Sequence, residues 1–543
     1  MSKCPELPPE LLREITTHAR VNAGLLAVCR TTRDATFELV EQAYQLNRAQ
    51  AVAFCRVVYL NQNVFLTGGA GTGKSWVAAQ IVDRICRYYR TTSVVGIVAP
   101  TGAAARQASM CVPSRTRVAG ATIHWFFNVR RVKRPADGPK VVGRQRPTPD
   151  ELAFRNAFGD IDIEPTDCAG QDTCVCDEAV RKRLTDLELL WLDEISMVTS
   201  DTLDLINQAL QFARGSRRPW GGCQVLISGD FAQFPPCAGG EDASGAPRYA
   251  FRSPLWNGLR EVELTQLVRQ GEDRPFAEVL SRVRTGDLRP GDLEWINANA
   301  DRSSAQREPV TTLLPTNNKC AAMNAARLAE MHGEPVVYEP ERSLLELVEE
   351  EPGWRTRAYA PRPTDAVQFP RLVPPVALKL GAPVTASRNT YSGNVLTICN
   401  GMRGRVVGLA SDHVEVSWEA TGTLPMHTTI VKRVSTLRRQ QFLSPRGRRV
   451  IARQTHVPLK LGFAGTLHAA QGATVRGLCA MDPRFRQPDP TDPLRKRWRA
   501  GHASVYVCLS RCTSIRNVRL LADLRPSDVA VCPVVRARFQ RKR

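Results

Sequence analysis

Short apolar runs recur along the chain, each closed by polar or glycine-rich residues: Val64–Thr67, Val94–Ala99, Leu187–Leu192, Val225–Ser228, Thr312–Leu314 and Val518–Leu521. Continuous runs of this kind predict strands buried on both faces. Amphipathic stretches such as Trp76–Tyr89 and Thr202–Ala213 lie between them and predict helices. Strands alternating with helices imply an α/β fold whose parallel sheets are covered by helices. Ligands of such sheets sit beyond the carboxyl ends of the strands.

Three regions depart from that rhythm. Arg130 to Arg183 is rich in Arg, Pro and Asp and reads as an insertion. Glu339–Thr364 is acidic and Pro-bearing and reads as a surface excursion. Gly404 to Val457 alternates in short β-like runs, such as His413–Trp418, and carries Lys432, Arg433, Arg438, Arg439, Arg446, Arg448 and Arg449. That pattern predicts a small basic β-domain.

Composition narrows the function. The 543 residues predict several domains, and 43% hydrophobic content suffices for several cores. A net charge of +21 draws polyanions, nucleic acid first among them, with a ribosomal-type or membrane-surface binder as the alternative. Glu6, Glu10 and Glu14, without an apolar core segment, argue against a secretory leader and a mitochondrial transit peptide. No apolar run is long enough to cross a bilayer, so no membrane partner is expected. The 16 cysteines are expected to be reduced thiols of the cytosol or nucleus.

The sharpest signal is Gly68-Gly69-Ala70-Gly71-Thr72-Gly73-Lys74-Ser75, placed between a predicted strand and a predicted helix. Its glycines let backbone N–H groups wrap phosphates. Lys74 neutralises the β- and γ-phosphates, and the Ser75 hydroxyl holds Mg²⁺. The apolar run ending in Asp193-Glu194 delivers a second pair of groups. There Asp193 binds Mg²⁺ and Glu194 activates the attacking water. Gln233, in Ser228-Gly229-Asp230-Phe231-Ala232-Gln233-Phe234-Pro235-Pro236, stands just beyond a third strand, where it can report the γ-phosphate. ATP and Mg²⁺ are the expected cofactors.

With these residues in view the chain resembles the Pif/RecD-like branch of superfamily 1 helicases, most closely the Pif type. The resemblance runs from about Leu46 to Asp523 with the motifs in the family's order. Leu46-Asn47-Arg48-Ala49-Gln50 looks like the adenine-reading motif, with Gln50 as reader. Ala99-Pro100-Thr101-Gly102-Ala103-Ala104-Ala105 and Gly120-Ala121-Thr122-Ile123-His124-Trp125-Phe126-Phe127 are similar to strand-contacting motifs. Asp193-Glu194-Ile195-Ser196-Met197 matches the metal motif, and Gly229 to Pro236 the γ-phosphate sensor. Leu267-Val268-Arg269-Gln270 resembles the motif whose Arg reaches the γ-phosphate. Leu314-Pro315-Thr316-Asn317 with Asn324, and the turn Asn400-Gly401-Met402-Arg403-Gly404, also have counterparts. Thr466-Leu467-His468-Ala469-Ala470-Gln471-Gly472-Ala473-Thr474 is similar to the motif coupling DNA to ATP. Val507-Cys508-Leu509-Ser510-Arg511 resembles the last motif, with Arg511 as the finger.

The resemblance implies two RecA-like P-loop NTPase domains, a small inserted β-barrel-like domain and a short helical N-terminal segment. The implied spans are 1–44 for that segment, 45–262 for the first domain with an insertion at about 128–185, 263–403 and 458–530 for the second, 404–457 for the β-domain and 531–543 for a basic tail. It implies an ATP hydrolase that unwinds DNA in replication, recombination or repair, moving 5′-to-3′ on single-stranded DNA and acting at DNA junctions. Catalytic residues are then Lys74, Asp193, Glu194, Gln233, Arg269 and Arg511. The nucleotide is held by Gln50, Gly68 through Ser75 and Gly472, the metal by Ser75 and Asp193, and the strand by Thr101, His124, Phe127, Asn317 and His468. Two positions depart from the family. Ala469 stands where Lys is usual, which removes one phosphate contact. Trp125 stands where a small residue is usual, and it reads equally as a stacking surface or as core.

The N-terminus, with Leu7-Pro8-Pro9-Glu10-Leu11-Leu12 and later Val28-Cys29-Arg30, looks like an F-box. That resemblance implies docking on a Skp-type ubiquitin-ligase adaptor through residues 7–34 and a eukaryotic or viral setting; a short helical cap on the motor is the plain alternative. The expected location is nuclear, with host nucleus or cytoplasm for a viral protein. The C-terminus, Arg536 to Arg543, reads as a nuclear-import signal or a phosphate-binding arm. Cys168, Cys174 and Cys176 have no standard zinc spacing. A ligase adaptor that only binds nucleic acid and an RNA-directed motor remain the competing readings, since charge does not separate DNA from RNA.

Overall fold

The computed structural model describes residues 37–541, apart from 39, 133–140, 144–162, 165–170, 237–245, 302–310, 420–426, 483–502 and shorter gaps that include 351–352, 469–470 and 472–474. The F-box-like run at 7–34, Cys168, Ala469 and Gly472 lie outside the described residues.

The first domain is built on six parallel strands: β1 (Val64–Gly68), β2 (Val95–Ala99), β3 (Gly120–Thr122), β4 (Leu189–Leu192), β5 (Gln224–Gly229) and β6 (Arg260–Leu264). Their order is β6-β1-β5-β4-β2-β3. β1, β2, β4 and β5 are buried along their whole length. This is why they read as unbroken apolar runs rather than as alternating ones.

Successive residues of these strands feed two cores. Leu66, Leu189, Trp191 and Leu226 pack with Phe54 of α1 (Arg48–Val58) and with Val77, Ile81 and Ile85 of α2 (Lys74–Tyr89). Phe65, Leu190, Leu192 and Ile227 face the other way, toward Leu203, Ile206 and Leu210. Those three lie on α4 (Ser200–Arg214), which follows α3 (Gly102–Cys111) in the chain. The Thr199 side chain accepts from the Thr202 N–H to start α4, and Gly215, at φ +60°, ends it. Burial of each such large side chain stabilises the fold by roughly 1.5–3 kcal/mol. Trp191, fully buried on β4, is the single position whose truncation to Ala would cost the most here, about 3–5 kcal/mol.

The insertion keeps its own small sheet. Val129–Val132 runs antiparallel to Gln171–Cys176, and Val141–Gly143 lies parallel on the far side. A helix at Glu178–Thr185, capped by Asp177, returns the chain to β4. Cys174 and Cys176 both point into the first domain's core, and the Cys174 thiol donates to Phe127 O at 3.0 Å. Burial pushes Cys174 up to about 12, so it is an inert core thiol.

The second domain has four parallel strands, β7 (Thr311–Leu314), β8 (Ala464–Thr466), β9 (Cys479–Met481) and β10 (Val518–Leu520), in the order β8-β7-β9-β10. Its core joins Leu313, Met481 and Val518 to α5 (Arg274–Thr285) and to the buried helix that carries Val505, Val507 and Leu509. α6 (Asn317–Glu330) follows β7, and Asn324 pins β8 by accepting from Ala464 N–H and donating to Ala464 O and Leu461 O.

Antiparallel strands fill the chain between α6 and β8. One five-stranded sheet runs in the order His427–Lys432, His413–Trp418, Arg403–Leu409, Pro383–Ala386, Leu459–Leu461, around a fully buried Trp418. A second contains Glu341–Glu350 between Gly353–Ala358 and Arg449–His456. The acidic stretch at 339–364 is therefore sheet rather than a surface excursion. Its Leu344, Leu345, Leu347 and Val348 are buried, while Glu341 pairs with Arg433 at 2.9 Å. The acidic residues masked the apolar positions between them.

The expected loose basic tail is also ordered. The buried helix α7 (Ser504–Leu509) is followed by α8 (Pro533–Gln540), which lies against both domains. Val535 is fully buried, Arg538 reaches Glu261 at 2.9 Å, and Arg284 sits 4.9 Å over the Phe539 ring. Arg536 and Arg538 are spent on protein partners, Asp287 at 3.4 Å and Glu261, because an amphipathic helix carries them. Among the described residues no helix is long and apolar enough to cross a membrane.

Candidate nucleotide site at the seam between the two sheets

The phosphate loop lies between the tip of β1 and the first turn of α2. Two of its glycines are dictated by space. A Cβ on Gly68 (φ +147°) would come 2.4 Å from Leu264 O, and one on Gly73 (φ +85°) 2.5 Å from Gln50 Nε2. The Thr72 hydroxyl braces the loop by donating to Gly69 O at 2.9 Å. Lys74 folds back and donates to Gly68 O (3.0 Å) and Gly69 O (2.9 Å). Burial lowers its pKa, opposed by Asp230, Glu194 and Asp193, so these carboxylates share one electrostatic neighbourhood with the lysine.

β4 lifts Asp193 to the same edge. Trp191 Nε1–H donates to Ser228 Oγ at 2.7 Å, and the Ser228 hydroxyl donates to Asp193 Oδ1 at 2.6 Å. This relay fixes the carboxylate. Burial and the adjacent Glu194 push Asp193 up to about 6. A carboxylate that pays such a desolvation cost is a strong attractor for a divalent cation. Among the described residues no group of three His, Cys, Asp or Glu is placed to cage a metal. Ser75 and Asp193 instead suit Mg²⁺, which takes one or two protein oxygens and completes its shell with phosphate and water.

The second domain faces this edge with cations. Arg511 is fully buried and Arg269 half-buried; desolvation, with Arg511 alongside, pushes Arg269 down to about 10. Glu194 opposes the lowering of both guanidinium groups and of Lys74, so it shares their electrostatic neighbourhood. Arg269 donates to Ser510 O at 2.8 Å, and Gln270 to Cys512 O at 2.8 Å, so this pair straddles Arg511. Arg511 itself donates to Val507 O (2.9 Å) and Ser510 Oγ (2.8 Å). Gln233 is 3% exposed and keeps an unpaired buried Oε1.

Gln50 does not present a free reading edge. Its side chain completes a capping box with Asn47 and donates to Thr72 O at 3.2 Å, bracing the loop from behind.

The strand-contact candidates divide. Thr101 lies at the tip of β2, where its hydroxyl accepts from Ala104 N–H at 3.2 Å and caps α3. His124 and Asn317 are exposed. His468 is also exposed, with its ring stacked 4.1 Å from Phe234. Phe127 is fully buried in the first domain's core and is corrected to a packing residue. The i, i+1 aromatic pair Phe126-Phe127 carries no periodicity that would reveal which ring turns inward. Trp125 is 43% exposed under the Arg183 guanidinium at 5.0 Å, so it is not core.

Several site residues escaped the sequence reading. Ser228 and Asp230 stand inside the third-strand motif but were not singled out. Tyr506 directly precedes the finger motif, and its hydroxyl accepts from Ala70 N–H at 2.7 Å while donating to Asp230 Oδ2 at 2.9 Å. Arg284 pairs with Asp230 (3.0 Å) and Glu263 (3.2 Å) from α5, with no motif to mark it. Gln471 donates to Glu194 Oε2 at 3.2 Å and Ser196 Oγ at 3.3 Å, which ties the 466–474 motif to the residues at the tip of β4.

Comparisons with known proteins bear on the fold and on the relatives this chain is similar to. An AAA domain model matches residues 45–306. The ATP-dependent DNA helicase Pif1 of Bdellovibrio bacteriovorus is 26% identical over 481 residues, covering 87% of this chain and 87% of that protein. The human ATP-dependent DNA helicase PIF1 is 29% identical over 497 residues, covering 90% of this chain and 63% of that protein. A Bacteroides Pif1 bound to ssDNA superposes with a TM-score of 0.63 at 22% identity, over 92% of this chain and 96% of the other. The Candida albicans Pif1 helicase gives 0.62 at 21%, over 92% and 99%. At these identities the structural likeness establishes the two-domain fold.

Proposed function

We infer that this chain, a Pif-type member of the superfamily 1 helicases, is an ATP-dependent DNA helicase. The observation that carries this reading is the seam. One sheet brings Lys74, Asp193, Glu194 and Asp230 to an edge, and the other domain faces that edge with Arg269 and Arg511. Hydrolysis of a phosphoanhydride needs cationic charge around the departing γ-phosphate, and here it comes from both domains.

The roles follow from placement. The loop N–H groups and Lys74 bind the phosphates. Ser75 and Asp193 hold Mg²⁺, which when bound neutralises charge on the β- and γ-oxygens. Glu194 takes the proton of the attacking water, and Gln233, with a buried acceptor free, orients that water. Arg511 and Arg269 must leave Val507 O and Ser510 O to reach the phosphate, so domain closure and finger release are one movement. Thr101, His124, Asn317 and His468 line the strand path, and the stack of His468 on Phe234 carries strand contact to the γ-phosphate sensor.

The finer reading is 5′-to-3′ movement on single-stranded DNA, with action at forks and other junctions. The named relatives and the Pif-type motif wording support it. Docking of residues 7–34 on a Skp-type adaptor and a nuclear location complete the proposal, resting on the F-box-like residues. The direct test is unwinding of duplexes bearing a single 5′ or 3′ tail. Strand separation from the 5′-tailed duplex alone is expected; separation only from the 3′ tail would reverse the polarity. Calorimetry with a purified Skp-type adaptor tests the N-terminal segment, and no heat of binding would remove the ligase link.

A further inference from the structure

The phosphate loop is not open in this structure: one of its N–H groups is already taken by the other domain. The Ala70 N–H donates to the Tyr506 hydroxyl at 2.7 Å. That hydroxyl in turn donates to Asp230 Oδ2 at 2.9 Å. Asp230 is fully buried and is fixed by Arg284 Nε (3.0 Å) and Nη2 (3.1 Å) and by the Ala232 N–H (3.2 Å). Tyr506 therefore has little freedom to be anywhere else, and the contact is an aimed one. Gly71 O is taken from the same side, by the N–H groups of Val268 (2.9 Å) and Arg269 (3.1 Å).

Tyr506 is not an ordinary neighbour of the loop. It sits on α7, whose Val507 O accepts from the Arg511 guanidinium and so keeps the finger folded back. We propose that Tyr506 is a positioning residue that competes with the nucleotide for the phosphate loop, so that arrival of ATP frees α7 and the Arg511 segment together. The loop binds phosphate oxygens through its backbone N–H groups, and the Ala70 N–H is one of that set. To donate it to phosphate the loop must give up the Tyr506 oxygen, and α7, which directly precedes Arg511, loses that tie to the first domain. Binding and finger release become one exchange of hydrogen bonds. This inference rests on the ATP site described above.

The experiment uses the full chain and Tyr506→Phe, which keeps the ring and removes only the hydroxyl. Affinity for the non-hydrolysable β,γ-imido analogue of ATP is measured with Mg²⁺, alongside thermal melting with and without the analogue. A lost hydrogen-bond competitor predicts an affinity roughly three- to tenfold tighter than wild type. It also predicts a lower melting temperature without nucleotide and a larger rise on adding the analogue. A merely structural tyrosine would weaken both stability and binding. Unchanged or weaker affinity in Y506F, with wild-type binding intact, overturns the role of Tyr506 alone. Loss of the cooperative melting transition in Y506F also overturns it, because a competitor for nucleotide is dispensable to the fold. Failure of the wild-type chain to bind the analogue overturns the ATP site itself.

Discussion

The two parallel sheets are alike in architecture and opposite in use. The six-stranded sheet ends in the phosphate loop and in carboxylates, whereas among the described residues the four-stranded sheet ends in no such loop, and Arg269 and Arg511 come from segments outside its strands. A nest of N–H groups with a lysine can bind nucleotide alone. Cations supplied by a second body can complete the reaction only when the two bodies close. The asymmetry thus separates binding from hydrolysis, and each half can be broken independently.

The largest expected effect is on the first sheet. Lys74→Ala should abolish ATP turnover in a phosphate-release assay while single-stranded DNA binding persists. Retained turnover would remove Lys74 from the site. In the second domain, Arg511→Ala should slow hydrolysis about a thousandfold or more and leave analogue binding near normal. Comparable losses of binding and hydrolysis would erase the division of labour.

The bridge between the halves comes next. Arg284→Ala strands the buried Asp230 and should destabilise the folded chain by about 3–5 kcal/mol, read from denaturant unfolding. A cost under 1 kcal/mol would mean that Asp230 is not held by this pair.

Acidity acts on the metal oxygen of the first sheet through Asp193. Asp193 has a folded pKa raised to about 6, so its charged form costs stability above that pH, and the cost is relieved as pH falls toward the ordinary carboxylate range. Hydrolysis at limiting Mg²⁺ should therefore fall by roughly tenfold per unit below about pH 6, as the metal oxygen takes a proton. In Asp193→Asn the acid limb should vanish with the activity, and the melting temperature at neutral pH should rise. A fall in melting temperature would show that the carboxylate is not strained. The smallest effect is expected from Arg538→Ala on α8, which should cost on the order of 1 kcal/mol through Glu261 and the aromatic ring cluster beneath.

The same contrast explains what was legible in the chain. Strands buried on both faces must be apolar throughout, so β1, β2, β4 and β5 announced themselves. The phosphate loop was legible because Gly68 and Gly73 are forced by close backbone and side-chain approach. Residues acting across the seam were not. Arg284 and Asp230 are joined over 54 positions, and Tyr506 and Ala70 over 436, with no local pattern to betray either. The acidic strand Glu341–Glu350 and the basic helix α8 escaped for one reason: charged residues interspersed among the apolar ones, Glu346 buried among Leu344, Leu345, Leu347 and Val348, hid the apolar positions. Phe127 failed for a related reason, since a motif position fixes the chain's path but not which ring of an aromatic pair turns inward.

Gln471 donates to Glu194 and the His468 ring stacks on Phe234, so these two residues of one motif reach both the Asp193-Glu194 pair and the third-strand motif. The most direct test of the account is steady-state ATP hydrolysis by the full chain with and without a single-stranded oligodeoxythymidine. The account predicts turnover that rises strongly with the strand and disappears in Lys74→Ala. Turnover that ignores the strand, or none in its presence, would contradict it.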